Sequence, residues 1–66
     1  MKLYRLVTGP DDEGFCMRVS KSLNDGWQLH GSPTITFNGK TPIAGQALVK
    51  DVPDEEFHDG INLRSY

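Results

Sequence analysis

Few side chains in this sequence have the type and spacing to do chemistry. His30 and Ser32 lie two residues apart, on one side of any extended segment, between Gly31 and Pro33. An imidazole that titrates near neutrality, next to a hydroxyl, can bind a ligand or move a proton. A catalytic triad needs a third, orienting group, and no spacing here specifies one. A hydrogen-bonding histidine on a half-exposed strand is the plainer reading. Trp27 can stack a ligand and Gln46 can hold one through its amide. With His30 and Ser32 they make a candidate ligand-binding set at one edge of a shallow pocket. Against this, a tryptophan at a helix-strand joint is more often a main core residue.

Cys16, the sole cysteine, falls near a predicted helix start, where a thiolate is stabilised. Its position on the apolar stripe of that helix points instead to a buried, inert thiol. His58 stands among Asp54, Glu55, Glu56 and Asp59. That spacing fits no calcium loop, and a soft metal wants more His or Cys, so a solvated charged turn is expected. Thr8-Gly9-Pro10-Asp11 precedes a helix but has one glycine and no lysine, and Asp11, Asp12 and Glu13 would repel a phosphate. No catalytic residue, metal site or cofactor is assigned, and a non-enzymatic role is favoured.

The elements that must position these residues are easier to read. Lys2 to Val7 is rich in Leu, Tyr and Val and forms a first strand. Leu3 and Val7 fall on one face, Tyr4 and Leu6 on the other, and a strand apolar on both faces tends to be covered on both. Pro10-Asp11-Asp12-Glu13 looks like a helix start, with Pro10 as first helical residue and Thr8 or Gly9 as N-cap. Phe15, Cys16, Val19 and Leu23 recur at helical spacing as its apolar stripe. Asn24-Asp25-Gly26 ends the helix, with Gly26 as the left-handed residue after the cap, and Trp27 opens a second strand.

Gly31-Ser32-Pro33 interrupts that strand and marks a bend or bulge on a sheet edge. Asn38-Gly39 predicts a two-residue type I′ hairpin turn. Without a bulge, Phe37 would face Lys40 and Leu29 would face Leu48; a one-residue bulge would swap the face, so the register past the turn stays open. Ile43 to Val49 is the least charged stretch and is placed in the sheet centre. The prediction is an α+β fold: one β-α-β-β domain over residues 1–52, its three-stranded antiparallel sheet in order 2-3-1 with the helix on one face. Residues 53–66 form an acidic C-terminal tail, either a short helix begun at Val52-Pro53-Asp54-Glu55-Glu56-Phe57 or partly disordered.

Lys2-Leu3-Tyr4 with Thr8-Gly9-Pro10, Gly26-Trp27-Gln28-Leu29-His30-Gly31-Ser32-Pro33 and Ile43-Ala44-Gly45-Gln46-Ala47 together resemble a family of short bacterial proteins catalogued as domain of unknown function 1737. The likeness covers about residues 1 to 52. It implies the same small β-α-β-β fold and carries over no reaction and no site residue.

Composition narrows the function classes. Sixty-six residues make one domain, and a chain this short buries only about 60% of the surface its unfolded form exposes. A single cysteine allows no internal disulfide, so self-association is the expected source of further burial. Seven basic against nine acidic residues, a net charge of −2, leave no overall electrostatic footprint for nucleic acid or an anionic membrane. Arg5, Arg18, Lys21, Lys40 and Lys50 are the cations that the fold could nevertheless bring together. No apolar run approaches the roughly 20 residues of a bilayer span, and the N-terminus turns polar too soon for a signal peptide. The sequence therefore predicts a cytoplasmic protein that forms a homo-oligomer, in the simplest case a dimer, or binds a protein partner. The alternative is a small-molecule binder or minor enzyme near His30, Ser32 and Gln46.

Overall fold

The computed structural model describes residues 1–66. Strand β1 (Lys2–Pro10) is followed by helix α1 (Glu13–Asn24), strands β2 (Gln28–Phe37) and β3 (Pro42–Asp51), and a 3₁₀ turn at Leu63–Ser65. The sheet is antiparallel throughout, in order β1-β3-β2, so β3 is central as expected. This is the predicted α+β architecture, β-α-β-β with one helix.

Alternation decides what each strand buries. Leu3 and Val7 of β1, and Ala44 and Leu48 of β3, point to the helix side and join Phe15 and Trp27 in the core. Trp27 is 2% exposed and Leu48 fully buried. Met1, Val19, Val52, Ile61 and Tyr66 pack around them, so the tail helps to close the core.

Two helix assignments differ from expectation. β1 runs through Pro10, and the N-cap is Asp12, whose carboxylate accepts from the Phe15 N–H at 3.1 Å. Pro10 ends an edge strand instead of opening a helix, a place where its missing N–H costs the ladder little. The buried helix face is Phe15, Val19 and Ser22, not the stripe containing Cys16 and Leu23, which are both exposed. The reason is Arg5. Its guanidinium reaches across the core and donates to Ser22 Oγ at 3.1 Å, which gives a buried hydroxyl the partner it requires.

The helix C-terminus is as read. Gly26 has φ +99°, the Gly26 N–H donates to the Leu23 carbonyl and the Trp27 N–H to the Ser22 carbonyl. That pair of bonds is a Schellman cap, and it delivers Trp27 straight into the core.

The β2–β3 hairpin is not the predicted two-residue turn. Asn38 is not left-handed; only glycines have positive φ. Its carboxamide oxygen accepts from both Lys40 N–H and Thr41 N–H at 2.9 Å, building a four-residue loop in which Phe37 faces Pro42. Between the His30–Ala47 and Thr34–Gly45 pairs, β2 then advances four residues where β3 advances two. The surplus at this bulge cancels the surplus in the loop, and Leu29 faces Leu48 after all. Because the surplus is even, no side chain changes face.

Beyond β3 the chain makes a turn at Pro53-Asp54, not a helix, and the tail's one helical turn is the later 3₁₀ segment. Arg5 ties that segment down by donating to the carbonyl of Leu63 at 3.0 Å and to the backbone oxygen of Tyr66, the last residue, at 3.3 Å.

Candidate functional site

Three surface regions carry features beyond those the fold needs. The first is the sheet face away from the helix. Paired residues share a face, so Tyr4 with Val49, Leu6 with Ala47, and Pro10 with Ile43 point there, joined by Gln28, His30, Thr34 and Thr36 from β2. Nothing in the chain covers them. Tyr4 is 56% and Leu6 55% exposed. Gly45 sits at the middle of this face between Thr8 and Thr34, where a Cβ would come within 3.1 Å of Thr34 Oγ1. The centre is therefore flat as well as uncharged. Lys2 and Asp51 lie opposite one another at one end.

The second region is a cleft along the outer edge of β1, between that edge, the flank of α1 and the docked tail. It has a volume of about 620 Å³ and is lined by Arg5, Leu6, Val7, Thr8, Arg18, Lys21, Ser22, Asp25, Arg64 and Tyr66. Met1 and Val52 exchange both of their backbone hydrogen bonds, so by antiparallel alternation the odd residues of β1 bond to β3 and the even ones point outward. The outward Thr8 carbonyl accepts from Arg18 at 3.1 Å. Arg5 lies in the cleft floor with its guanidinium 4.2 Å from the centre of the Trp27 ring, a cation–π contact in a partly desolvated place. The Trp27 indole N–H has no acceptor. Tyr66 closes the cleft and donates its hydroxyl to Glu55 at 2.7 Å. That hydrogen bond, with lesser help from burial and from the Glu55 charge, holds the Tyr66 phenol above the ordinary tyrosine pKa.

The third region is a hollow of about 520 Å³ lined by Lys2, Gly26, Gln28, His30, Val49, Lys50 and Asp51. Lys50 also donates to the Asp25 carbonyl at 2.8 Å.

The four residues of the sequence-derived ligand set do not meet. Trp27 is in the core. Gln46 is buried on the helix side, where its Nε2 shares its N–H donors among the carbonyls of Ala47 at 2.9 Å, Gly31 at 3.3 Å and His30 at 3.4 Å. It fills the bulge, supplying donors to carbonyls that the ladder cannot reach. His30 is exposed on the uncovered face and Ser32 is exposed in the bulge. Cys16 is exposed rather than buried. His58 Nδ1 lies 3.0 Å from the Asp59 carbonyl, and no three His, Cys, Asp or Glu side chains converge. Of the five cations named as able to cluster, Arg5, Arg18 and Lys21 do so. Arg64 joins them unforeseen, since it arrives through the docked tail; Arg5, mid-strand on the inward face beside Leu3 and Val7, was the signal that something polar had to meet it.

A family model for a domain of unknown function, DUF1737, matches residues 1–51. The chain belongs to this family. The match spans β1 to the end of β3, so the DUF1737 unit is the sheet and its helix, and the tail that completes the cleft lies outside it. No curated protein and no solved structure matches. No helix is long and apolar enough to cross a membrane.

Proposed function

We propose that this DUF1737 chain is a non-enzymatic module that self-associates by stacking the uncovered sheet face on that of a second copy. The observation that carries this reading is the exposure of Tyr4 and Leu6 on a face shared with Ile43, Ala47 and Val49. The solvated face of an antiparallel sheet normally carries polar residues, so large apolar side chains gathered there mark a contact surface. The face is flat at Gly45, neutral in its centre and charged with both signs at one end, so two copies can pair about a two-fold axis without burying an unpaired charge. Its size, about 30 Å by 15 Å from strand rise and spacing, implies roughly 1,000 Å² buried in total, at the lower end for specific interfaces. The dimer should therefore dissociate on dilution. A lone, exposed Cys16 suits a reducing compartment, which supports a cytoplasmic setting.

Sedimentation velocity over a micromolar concentration series tests this. The wild type should move from monomer to dimer, and Tyr4→Lys should remain monomeric with an unchanged circular dichroism spectrum. A wild type that is monomeric throughout ends the proposal. So does a dimer that survives Tyr4→Lys but is lost in Ile35→Lys, which would place the contact on the exposed flank of β2.

A further inference from the structure

We propose that the cleft beside β1 is a binding site for a small, multiply charged oxyanion, of the phosphate-ester or polycarboxylate class. This does not rest on self-association, because the cleft lies around the edge of the sheet and against the helix.

The argument starts from charge. In side-chain charge the chain as a whole is −2, yet Arg5, Arg18, Lys21 and Arg64 converge on one cavity with Asp25 as the only side-chain carboxylate among its lining residues. Four cations against one carboxylate give the cleft +3 and the rest of the molecule −5 in side-chain charge. With acidic residues in excess, each cation had carboxylates to choose from. None of the four has a side-chain carboxylate within ion-pair distance; the one ion pair to an Asp or Glu joins the Met1 amino group to Asp51. Arg5 donates to Ser22 Oγ, to the Leu63 carbonyl and to the backbone oxygen of the last residue, Tyr66, whose terminal carboxylate offsets one of the four charges. Arg18 donates only to the neutral carbonyl of Thr8, and Lys21 and Arg64 make no side-chain hydrogen bond at all. Arg18, Lys21 and Arg64 are thus left uncompensated beside the fixed Arg5, and together they focus a positive potential into the cavity. Guanidinium forks match the paired oxygens of phosphate and carboxylate.

The volume and the edge select a small ligand. About 620 Å³ holds a molecule larger than a single ion. An added acidic strand would need the outward groups of β1, and Arg18 already occupies the Thr8 carbonyl there.

Titration of labelled protein with pyrophosphate and, separately, with citrate, at constant ionic strength and followed by amide chemical shifts, tests the site. Saturable shifts at Leu6 to Thr8, Arg18 to Asp25 and Arg64 are expected with at least one anion. Whichever binds more tightly identifies the class. The combined variant Arg18→Gln, Lys21→Gln and Arg64→Gln spares Arg5 and the core, and should weaken binding tenfold or more at an unchanged amide pattern elsewhere. No saturable shift with either anion overturns the proposal, as does equal binding by the variant. Binding of a glutamate-rich peptide in the absence of binding by either small anion overturns it too, in favour of strand addition.

Discussion

β2 and β3 are equal in length, adjacent, and paired along nearly their whole span, yet they have opposite fates. Every residue of β2 is exposed, while β3 carries Ala44, Gln46 and Leu48 into the interior. Hydrogen bonding to a neighbour does not bury a side chain; a layer on top does. The core is drawn from β1, β3, Phe15 and Trp27, so Leu29, Ile35 and Phe37 of β2 point to the helix side of the sheet but lie outside the core, each more than half exposed. The core belongs to one half of the sheet, and the other half is attached to it through backbone bonds and the Gln46 side chain.

The largest test of that contrast is a pair of truncations. Leu48→Ala should cost about 2–5 kcal/mol, as loss of a fully buried leucine does, whereas Ile35→Ala, also on the helix side, should stay within about 0.5 kcal/mol. Urea unfolding of both variants measures the difference, and equal effects would mean that β2 is covered in solution. A second, smaller effect is expected at the joint between the halves. Gln46→Leu keeps the volume but strips the donors from the carbonyls of the bulge, at a cost of about 1–3 kcal/mol. Hydrogen exchange should then quicken across Gln28–Phe37 before β1 changes. Uniform loss of protection would show instead that the sheet opens as one unit.

The smallest effect concerns the tail. Tyr66 has a raised pKa, chiefly because its protonated hydroxyl donates to Glu55. A group raised on folding contributes its stabilisation fully below the unfolded value, near 10, and loses it as pH climbs through the higher folded value. Tail docking should therefore hold at neutral pH and loosen only above about pH 10. Ultraviolet titration of a Tyr4→Phe protein, with Tyr66 the one remaining tyrosine, reads this directly. Glu55→Ala should move the midpoint down, and no movement would remove the hydrogen bond as its cause.

The same division explains what the sequence could reveal. Strand order, the central place of Ile43–Val49, the Gly26 cap and the burial of Trp27 follow from local rules of alternation and glycine conformation, and all are present. The helix face departs from its apolar spacing, which favours Cys16 and Leu23, because the interior accepts Ser22 to satisfy Arg5, a partner seventeen positions away. The N-cap lies at Asp12, later than Pro10 suggests, because proline fits the end of an edge strand as well as a first helical turn. The proposed ligand set dispersed for a related reason: strand phase puts His30 and Gln46 on opposite faces, and only the bulge brings a backbone carbonyl, not an imidazole, to the glutamine. The basic cleft was half legible in Arg5, Arg18 and Lys21, and its fourth member depends on a tail whose docking has no periodic signature.

The hairpin loop and the bulge each hold two residues more than the shortest path between the pairs that flank them, but they do not stand equal. Removing two residues from Asn38–Thr41 would leave a two-residue turn between Phe37 and Pro42 and keep Leu29 opposite Leu48. Removing two from Gly31-Ser32-Pro33 would straighten the strand and take from the Gln46 amide the carbonyls it holds. Among related chains, then, the loop should be free to change length while the bulge keeps its own.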